Sequence, residues 1–162
     1  IGGAVFMGNK ELKPIKNPGM EMGHIVIERN GIKCNCGKKG CFETYCSIKR
    51  LKNSLTEAMN ISKQTDGREL IEMLRKNKDE KIQEILDEYI NNLIIGLSNI
   101  IDVFEPQAIC LGGGFTYFED ILYKKFLDKY YNRKYAFNKD RLPDIKLAVL
   151  GNDAGIIGAT LI

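Results

Sequence analysis

The chain has 162 residues, of which 44% are hydrophobic and 28% are charged, as in an ordinary globular domain that can bury a core. The formal net charge is only +3, and no basic stretch is interleaved with aromatic residues, which argues against a nucleic-acid-binding protein. No apolar run approaches the roughly 18 residues of a membrane-spanning helix.

The first segment is rich in glycine. Gly2 and Gly3 precede a short apolar run, and adjacent glycines let backbone amides approach a phosphate closely. Taken alone, they are explained better by an ordinary turn. Gly8-Asn9 lies between residues 5–7 and 11–12 and predicts a β-hairpin. Residues 17–19, Asn-Pro-Gly, are typical of a loop.

A dense group of potential metal ligands follows. His24 is the only histidine of the chain, and Cys34, Cys36 and Cys41 are three of its five cysteines. Thiolate and imidazole groups at this density are the ligands of a closed, tetrahedral, structural zinc site. Glycines between the last two cysteines allow a tight loop. The spacing therefore predicts that these four residues bind zinc.

A second hairpin would bring His24 to the cysteines. Asn30-Gly31 separates two short apolar runs, 24–27 and 32–34, and predicts a two-residue turn between them. Two alternatives stay open for the cluster: buried cysteines beside a core histidine, or disulfides. An odd number of cysteines and the strain of a one-residue gap make disulfides the weaker alternative.

Two carboxylates bracket this cluster. Glu21 precedes His24 by three residues, and Glu43 follows Cys41 by two. Zinc would hold both near the cluster, where carboxylates and the second imidazole nitrogen of His24 can accept hydrogen bonds from hydroxyl groups. Alternatively, Glu21 is a solvated loop residue and Glu43 an acid favoured at the start of a helix.

Apolar periodicity predicts the remaining elements and an α/β layered domain. Cys46 is expected to be a small buried residue, and the longest helix is expected to pack in the core rather than to bind a partner. The predicted elements are a helix over 42–59, a helix to residue 76 capped by Asp66, a helix over 79–104, a buried parallel strand over 108–111, a helix over 117–130, a strand over 144–150 and a small-residue helix over 154–162.

Three consecutive glycines, Gly112, Gly113 and Gly114, connect the strand over 108–111 to the next helix. The turn between a strand and a helix is where α/β proteins bind nucleotides, at the carboxyl end of the strand. A tight turn without a ligand is equally consistent with this spacing.

The pattern Glu21-x-Gly-His24, followed by Cys34-x-Cys36-Gly-x-x-Gly-Cys41-x-Glu43, resembles the signature of the ROK family of repressors, open reading frames and sugar kinases. In that family the histidine and the three cysteines bind structural zinc, and the two glutamates and the histidine contact sugar hydroxyls. The resemblance also implies that Gly2 and Gly3 end a phosphate-contacting segment and that Gly112, Gly113 and Gly114 lie near adenosine. Met20 and Pro14 replace common family glycines, which leaves the sugar preference open.

The resemblance implies an actin-like ATPase (ribonuclease H-like) fold with a zinc-stabilised hairpin region. Residues 1–162 would form a single C-terminal lobe, with a zinc and sugar subsite at 19–45, a nucleotide-side loop at 108–116 and a closing helix at 154–162. An N-terminal lobe with the catalytic aspartate would precede Ile1, so the isolated lobe is expected to be inactive.

The function implied by the resemblance is phosphoryl transfer from ATP-magnesium to a hexose by a glucokinase-like enzyme. A cytoplasmic homodimer without membrane contact is expected. The alternative is the effector domain of a sugar-responsive repressor, which alone would bring nucleic acid as a partner. A free-standing zinc ribbon that binds nucleic acid is disfavoured by the lack of a basic aromatic face.

Overall fold

A computed structural model describes residues 1–15, 20–133 and 142–151. It consists of helices packed around one long central helix, with two small sheets, and the predicted α/β class is confirmed. The strands are β1 (Phe6–Met7), β2 (Lys10–Glu11), β3 (Ala108–Leu111) and β4 (Asp144–Leu147). The helices are α1 (Phe42–Cys46), α2 (Ile48–Ala58), α3 (Gly67–Lys76), α4 (Glu80–Phe104) and α5 (Lys124–Asn132).

Capping aspartates start α3 and α4 as predicted. The Asp66 carboxylate accepts a hydrogen bond from the Arg68 amide at 2.8 Å, and Asp79 accepts one from the Lys81 amide at 2.9 Å. Each bond satisfies a backbone donor that the first turn of a helix leaves unpaired. α4 ends at Phe104, where Glu105 adopts a left-handed conformation before Pro106.

The core lies against α4. Its buried residues follow the helical period, and α1 and α2 pack along them. Cys46 is buried as predicted, and the buried Tyr89 hydroxyl donates to the Cys46 carbonyl at 3.1 Å. The buried side chains of α4 are Ile82, Leu86, Tyr89, Ile90, Leu93, Leu97 and Ile101.

The two sheets confirm the predicted hairpin and the parallel direction predicted for the strand over 108–111. β1 and β2 form the antiparallel hairpin around Gly8-Asn9, where both turn residues have positive φ, at 54° and 62°. β3 and β4 pair in parallel from Ala108 opposite Asp144 onward.

The prediction that β3 is buried is wrong. Ala108 and Cys110 are exposed, while Ile109 and Leu111 are half-buried against the core. In the part of the chain that the structure describes, β3 pairs with β4 alone, so one face of this short sheet is covered and the other is open.

Three element boundaries differ from the sequence prediction. Ser47 is extended (φ −69°, ψ 142°) and divides the predicted helix 42–59; its hydroxyl caps α2 by accepting from the Arg50 amide at 3.3 Å. The helix predicted over 117–130 begins earlier, with a three-ten segment Gly113–Phe118 and a π turn Glu119–Tyr123 before α5. The last strand ends at Leu147. The loop 17–19 and the helix 154–162 lie outside the described residues.

Among the helices described, none is both long and apolar enough to cross a membrane.

Candidate functional site

His24 ends a three-ten helix, Met22–His24, and its amide donates to the Glu21 carbonyl at 2.9 Å. Residues three apart in such a helix lie on the same side, because it has three residues per turn. This repeat does not extend to Glu21, which precedes the helix with a non-helical ψ of 66°. Met22 and Gly23 are buried, whereas Glu21 is exposed.

The hairpin predicted around Asn30-Gly31 is wrong. A two-residue hairpin turn of this kind needs positive φ at both central residues, and neither Asn30 nor Gly31 adopts it. The arm after His24 pairs instead with the chain around Cys41: an isolated bridge joins Val26 to Cys41.

Gly40 permits this pairing. Its φ is +74°, and its carbonyl accepts a hydrogen bond from the Ile27 amide at 2.8 Å. A Cβ atom at residue 40 would lie 1.6 Å from the Glu28 carbonyl oxygen, so any other residue would push the two segments apart. Glycine at this position therefore brings His24 beside the cysteines, in place of the predicted turn.

The loop that holds the cysteines is closed by its own backbone. The Cys34 amide donates to the Lys38 carbonyl at 2.8 Å, and the Gly37 amide donates to the Cys34 carbonyl at 3.1 Å. Gly37 turns the chain with φ +92°. Cys34 and Cys36 are thereby held on one tight turn, and Cys41 follows after the Lys33–Lys39 bridge.

The predicted metal ligands come together. One potential ligand atom from each of His24, Cys34, Cys36 and Cys41 lies within 4.8 Å of all the others. Nδ1 of His24 is 3.5 Å from the Cys34 sulfur, and the sulfurs of Cys36 and Cys41 are 3.6 Å apart.

These distances fit a tetrahedral metal site. Zinc–sulfur bonds of about 2.3 Å and zinc–nitrogen bonds of about 2.0 Å separate neighbouring ligand atoms by about 3.5–3.8 Å. They do not fit disulfides, whose sulfurs are about 2.0 Å apart, and all five cysteines are free. Because Nδ1 of His24 faces the sulfurs, Nε2 is the imidazole nitrogen left to meet another partner.

The pKa values of two of these thiols are shifted in opposite directions. Burial raises the pKa of Cys41 to about 12, whereas a backbone hydrogen bond from Lys38 lowers the pKa of the exposed Cys36. Since zinc binds thiolates, metal binding must remove the proton of Cys41.

Glu43 lies in the first turn of α1, directly beyond this cluster, and is half-buried. Its carboxylate contacts the backbone nitrogen of Ile1, which places the start of the chain beside the cluster. Gly23 makes this approach possible, because a Cβ there would lie 2.3 Å from the Ile1 carbonyl oxygen. The sequence marks Gly23 only as part of a motif, and the contact with Ile1 could not be predicted from it.

The two glycine-rich segments line one cavity of about 820 Å³. Gly2 and Gly3 line it on one side, and Gly112, Gly113 and Gly114 line it on another. Met22 lines it as well, whereas Glu21 and His24 do not. Apolar side chains of α4 form much of the remaining wall. The structure therefore groups all five predicted nucleotide-site glycines around one space.

One further residue, Gly96, positions the site and was missed by sequence analysis. Gly96, in the middle of α4, receives the ring of Phe42, and a Cβ at residue 96 would lie 2.3 Å from a ring carbon. Phe42 stands between Cys41 and Glu43, so this contact fixes both. A lone glycine inside a helical pattern was the available signal, since it often marks a close approach.

Comparison with known proteins gives a consistent result. The family model described as ROK family matches residues 1–162. The xylose repressor of Bacillus spizizenii is 38% identical over 112 residues, covering 68% of this chain and 28% of the repressor. The glucokinase of Thermotoga maritima is 27% identical over 177 residues, covering 100% of this chain and 54% of the glucokinase.

Two solved structures are also similar to this chain over nearly its whole length. A ROK hexokinase from Thermus thermophilus matches 99% of this chain and 54% of its own, with 29% identity and a TM-score of 0.72. A ROK family glucokinase from Streptomyces griseus, in complex with glucose and AMPPNP, matches 98% of this chain and 55% of its own, with 23% identity and a TM-score of 0.76. The chain thus spans about half the length of these kinases.

Proposed function

The chain belongs to the ROK family, and from this premise we propose that it is the sugar-binding half, and part of the ATP-binding half, of an ATP-dependent hexose kinase. The substrates would be a hexose and ATP-magnesium. The chain would form one C-terminal lobe of the actin-like fold, with its sugar subsite at 19–45 and its nucleotide-side loop at 108–116. The base that accepts the hydroxyl proton would lie in an N-terminal lobe, so the isolated lobe would be inactive.

Structural zinc is the first part of this proposal. His24, Cys34, Cys36 and Cys41 supply the nitrogen and sulfur ligands of a closed site, with no position left for catalysis. The bound metal would tie the three-ten helix to the start of α1. It would thereby fix the residues that recognise the sugar without itself taking part in phosphoryl transfer.

Glu21, His24 and Glu43 are the proposed sugar contacts. Glu21 directly precedes the three-ten helix that His24 ends. Glu43 is held on α1 by the packing of Phe42. Rigid carboxylates and the free imidazole nitrogen would accept hydrogen bonds from sugar hydroxyls, which orients the sugar for transfer.

The single observation that carries the nucleotide half of the proposal is the shared cavity. Gly2 and Gly3 come from one end of the chain and Gly112–Gly114 from a turn more than one hundred residues later, yet both line the same space. Backbone amides exposed at glycines suit the phosphates and the adenosine of ATP. Phosphoryl transfer needs this kind of positioning more than it needs reactive side chains.

A second candidate is the effector domain of a sugar-responsive repressor. It is favoured by the 38% identity to the xylose repressor, which is higher than the identity to the glucokinase. The zinc and sugar residues would serve both functions equally. The nucleotide cavity separates the two proposals, because a repressor domain has no need of ATP.

Hexose-dependent ADP formation is the decisive experiment. The purified complete protein, with its N-terminal lobe, is incubated with ATP-magnesium and, in turn, glucose, mannose, N-acetylglucosamine or xylose, with a sample lacking sugar as the control. ADP formation that depends on one of the hexoses supports the kinase. Sugar binding by calorimetry without ADP formation, together with sugar-sensitive retention of promoter DNA, would support the repressor instead.

A further inference from the structure

Met22 lies between two proposed sugar contacts but faces away from them. Successive side chains of a three-ten helix project about 120° apart, so Met22 and His24 point in different directions, and the exposed Glu21 precedes the helix. Met22 is 8% exposed and lines the cavity that the two glycine-rich segments share.

The Met22 side chain packs against the first of these segments, at Gly3. A Cβ built on Gly3 would lie 2.8 Å from the Met22 sulfur and 3.5 Å from its Cγ. The neighbouring Gly23 approaches the Ile1 carbonyl, and Glu43 contacts the Ile1 nitrogen. The backbone of Ile1–Gly3 is therefore held from the side of the zinc and sugar cluster.

Accordingly, we propose that Met22 is a positioning residue that couples hexose binding to nucleotide binding. This inference rests on the proposed function. A hexose bound by Glu21 and His24 fixes the three-ten helix, the helix fixes Met22, and Met22 fixes the backbone at Gly3, where phosphate would bind. Met22 touches neither substrate in this account and acts through Gly3.

Although Met22 lies inside the sugar motif, the proposal predicts that it affects nucleotide binding. Replacing Met22 should weaken nucleotide binding more than hexose binding, because the packing that it removes lies on the cavity side. Couplings between two ligand sites are commonly 5- to 150-fold in affinity.

The test compares Met22→Ala, Met22→Leu and Met7→Ala in the zinc-loaded complete protein, because the isolated lobe is expected to be inactive. Met7 is the matched control, since it is 69% exposed on β1. We expect Met22→Ala to raise the KM for ATP about 5- to 10-fold and to leave the Kd for the hexose, measured without nucleotide, within about twofold. Met22→Leu, which restores apolar bulk, should recover most of the loss, and Met7→Ala should change neither constant.

Calorimetry provides a readout that does not depend on turnover. In the wild type, saturating hexose should tighten AMPPNP binding about 5-fold or more, and in Met22→Ala this gain should vanish. A pair of compensating substitutions adds a second test. Gly3→Ala alone should weaken AMPPNP binding, because the new methyl group collides with Met22. Adding Met22→Ala to Gly3→Ala should restore part of the AMPPNP affinity.

The possible results distinguish failure of this inference from failure of the proposed kinase function. If the wild type binds AMPPNP and Met22→Ala retains both its affinity and its hexose dependence, the inference is wrong and the kinase proposal stands. A matching rise in the Kd for the hexose, measured without nucleotide, would also overturn it. If the wild type binds hexose but no AMPPNP, the kinase proposal fails and the inference fails with it. Should Met22→Ala melt at the assay temperature, AMPPNP binding by Gly3→Ala and by the double variant Gly3→Ala/Met22→Ala, in which the added methyl group occupies part of the vacated space, decides the same question.

Discussion

The contact between Gly96 and Phe42 gives the sharpest prediction about how the fold holds the site. Replacing Gly96 by alanine adds one methyl group in the middle of α4. Its Cβ would lie 2.3, 2.4 and 2.6 Å from three ring carbons of Phe42. Ordinary carbon–carbon contacts are about 3.5–4.0 Å long, so the ring must retreat by about 1.2 Å or more.

The free energy of unfolding should fall despite the better helix former. Overpacking of a core by one methyl group costs about 1–3 kcal/mol, while alanine in place of glycine favours a helix interior by about 1 kcal/mol. A ring displacement of this size puts the overpacking cost in the upper part of its range, about 2–3 kcal/mol, so the net loss is about 1–2 kcal/mol. For a protein of this size or larger, that lowers the melting temperature by about 2–8 °C.

Gly67→Ala is the matched control. Gly67 starts α3, and a Cβ there meets no atom within 4 Å. It should leave the melting temperature unchanged or raise it slightly. The assay is thermal unfolding of the purified, zinc-loaded wild type and of both variants.

The same variant should also disturb the site. Phe42 stands between Cys41 and Glu43, so its retreat moves a metal ligand and a proposed sugar contact together. We expect Gly96→Ala to bind hexose more weakly than Gly67→Ala. A Gly96→Ala protein that melts at or above the wild type and binds hexose normally would refute the packing argument.

Three other changes address the cluster and its carboxylate. Cys36→Ser should lose zinc and lower the melting temperature, because structural zinc contributes folding free energy, whereas Cys110→Ser should keep the metal; elemental analysis distinguishes them. Glu43→Gln should weaken hexose binding in calorimetry while keeping zinc, with the exposed Glu57→Gln as its control, and loss of zinc would mean that the role of Glu43 is misassigned. Acidification should release zinc, since protons compete for the thiolates and Cys41, whose pKa burial raises to about 12, readily regains its proton. A chromogenic chelator follows the release, and full retention at about pH 4 would contradict thiolate ligation.

Features set by local chemistry were predictable from the sequence. Asp66 and Asp79 cap helices because their carboxylates satisfy the amides of the turn that follows, and no distant contact is needed. Gly8-Asn9 makes the predicted hairpin because both residues tolerate positive φ. The four predicted ligands also meet, since donor type and short spacing narrow the geometry strongly.

Features set by tertiary contacts were not predictable. Asn30-Gly31 carries the same turn signal as Gly8-Asn9. However, Gly40 lets the backbone around Cys41 pack closely against Glu28, and the segment after His24 therefore pairs with that backbone instead of forming the predicted hairpin. The break at Ser47 is hidden because the apolar period continues on both sides of it.

The exposed face of β3 has a similar explanation. An apolar run such as Ala108–Leu111 indicates a strand, but burial depends on which other segments cover its two faces. Within the described residues, one face packs on the core and the other stays open.

The central claim is that a zinc-bound cluster presents the sugar-binding residues. The most direct measurement is a calorimetric titration of glucose, mannose and N-acetylglucosamine into the zinc-loaded protein and into the same protein after chelation. The account predicts that one of these hexoses binds the zinc-loaded protein, with about one zinc per chain by elemental analysis, and that binding is lost with the metal. Equal hexose affinity before and after zinc removal, in a protein that remains folded, would contradict it.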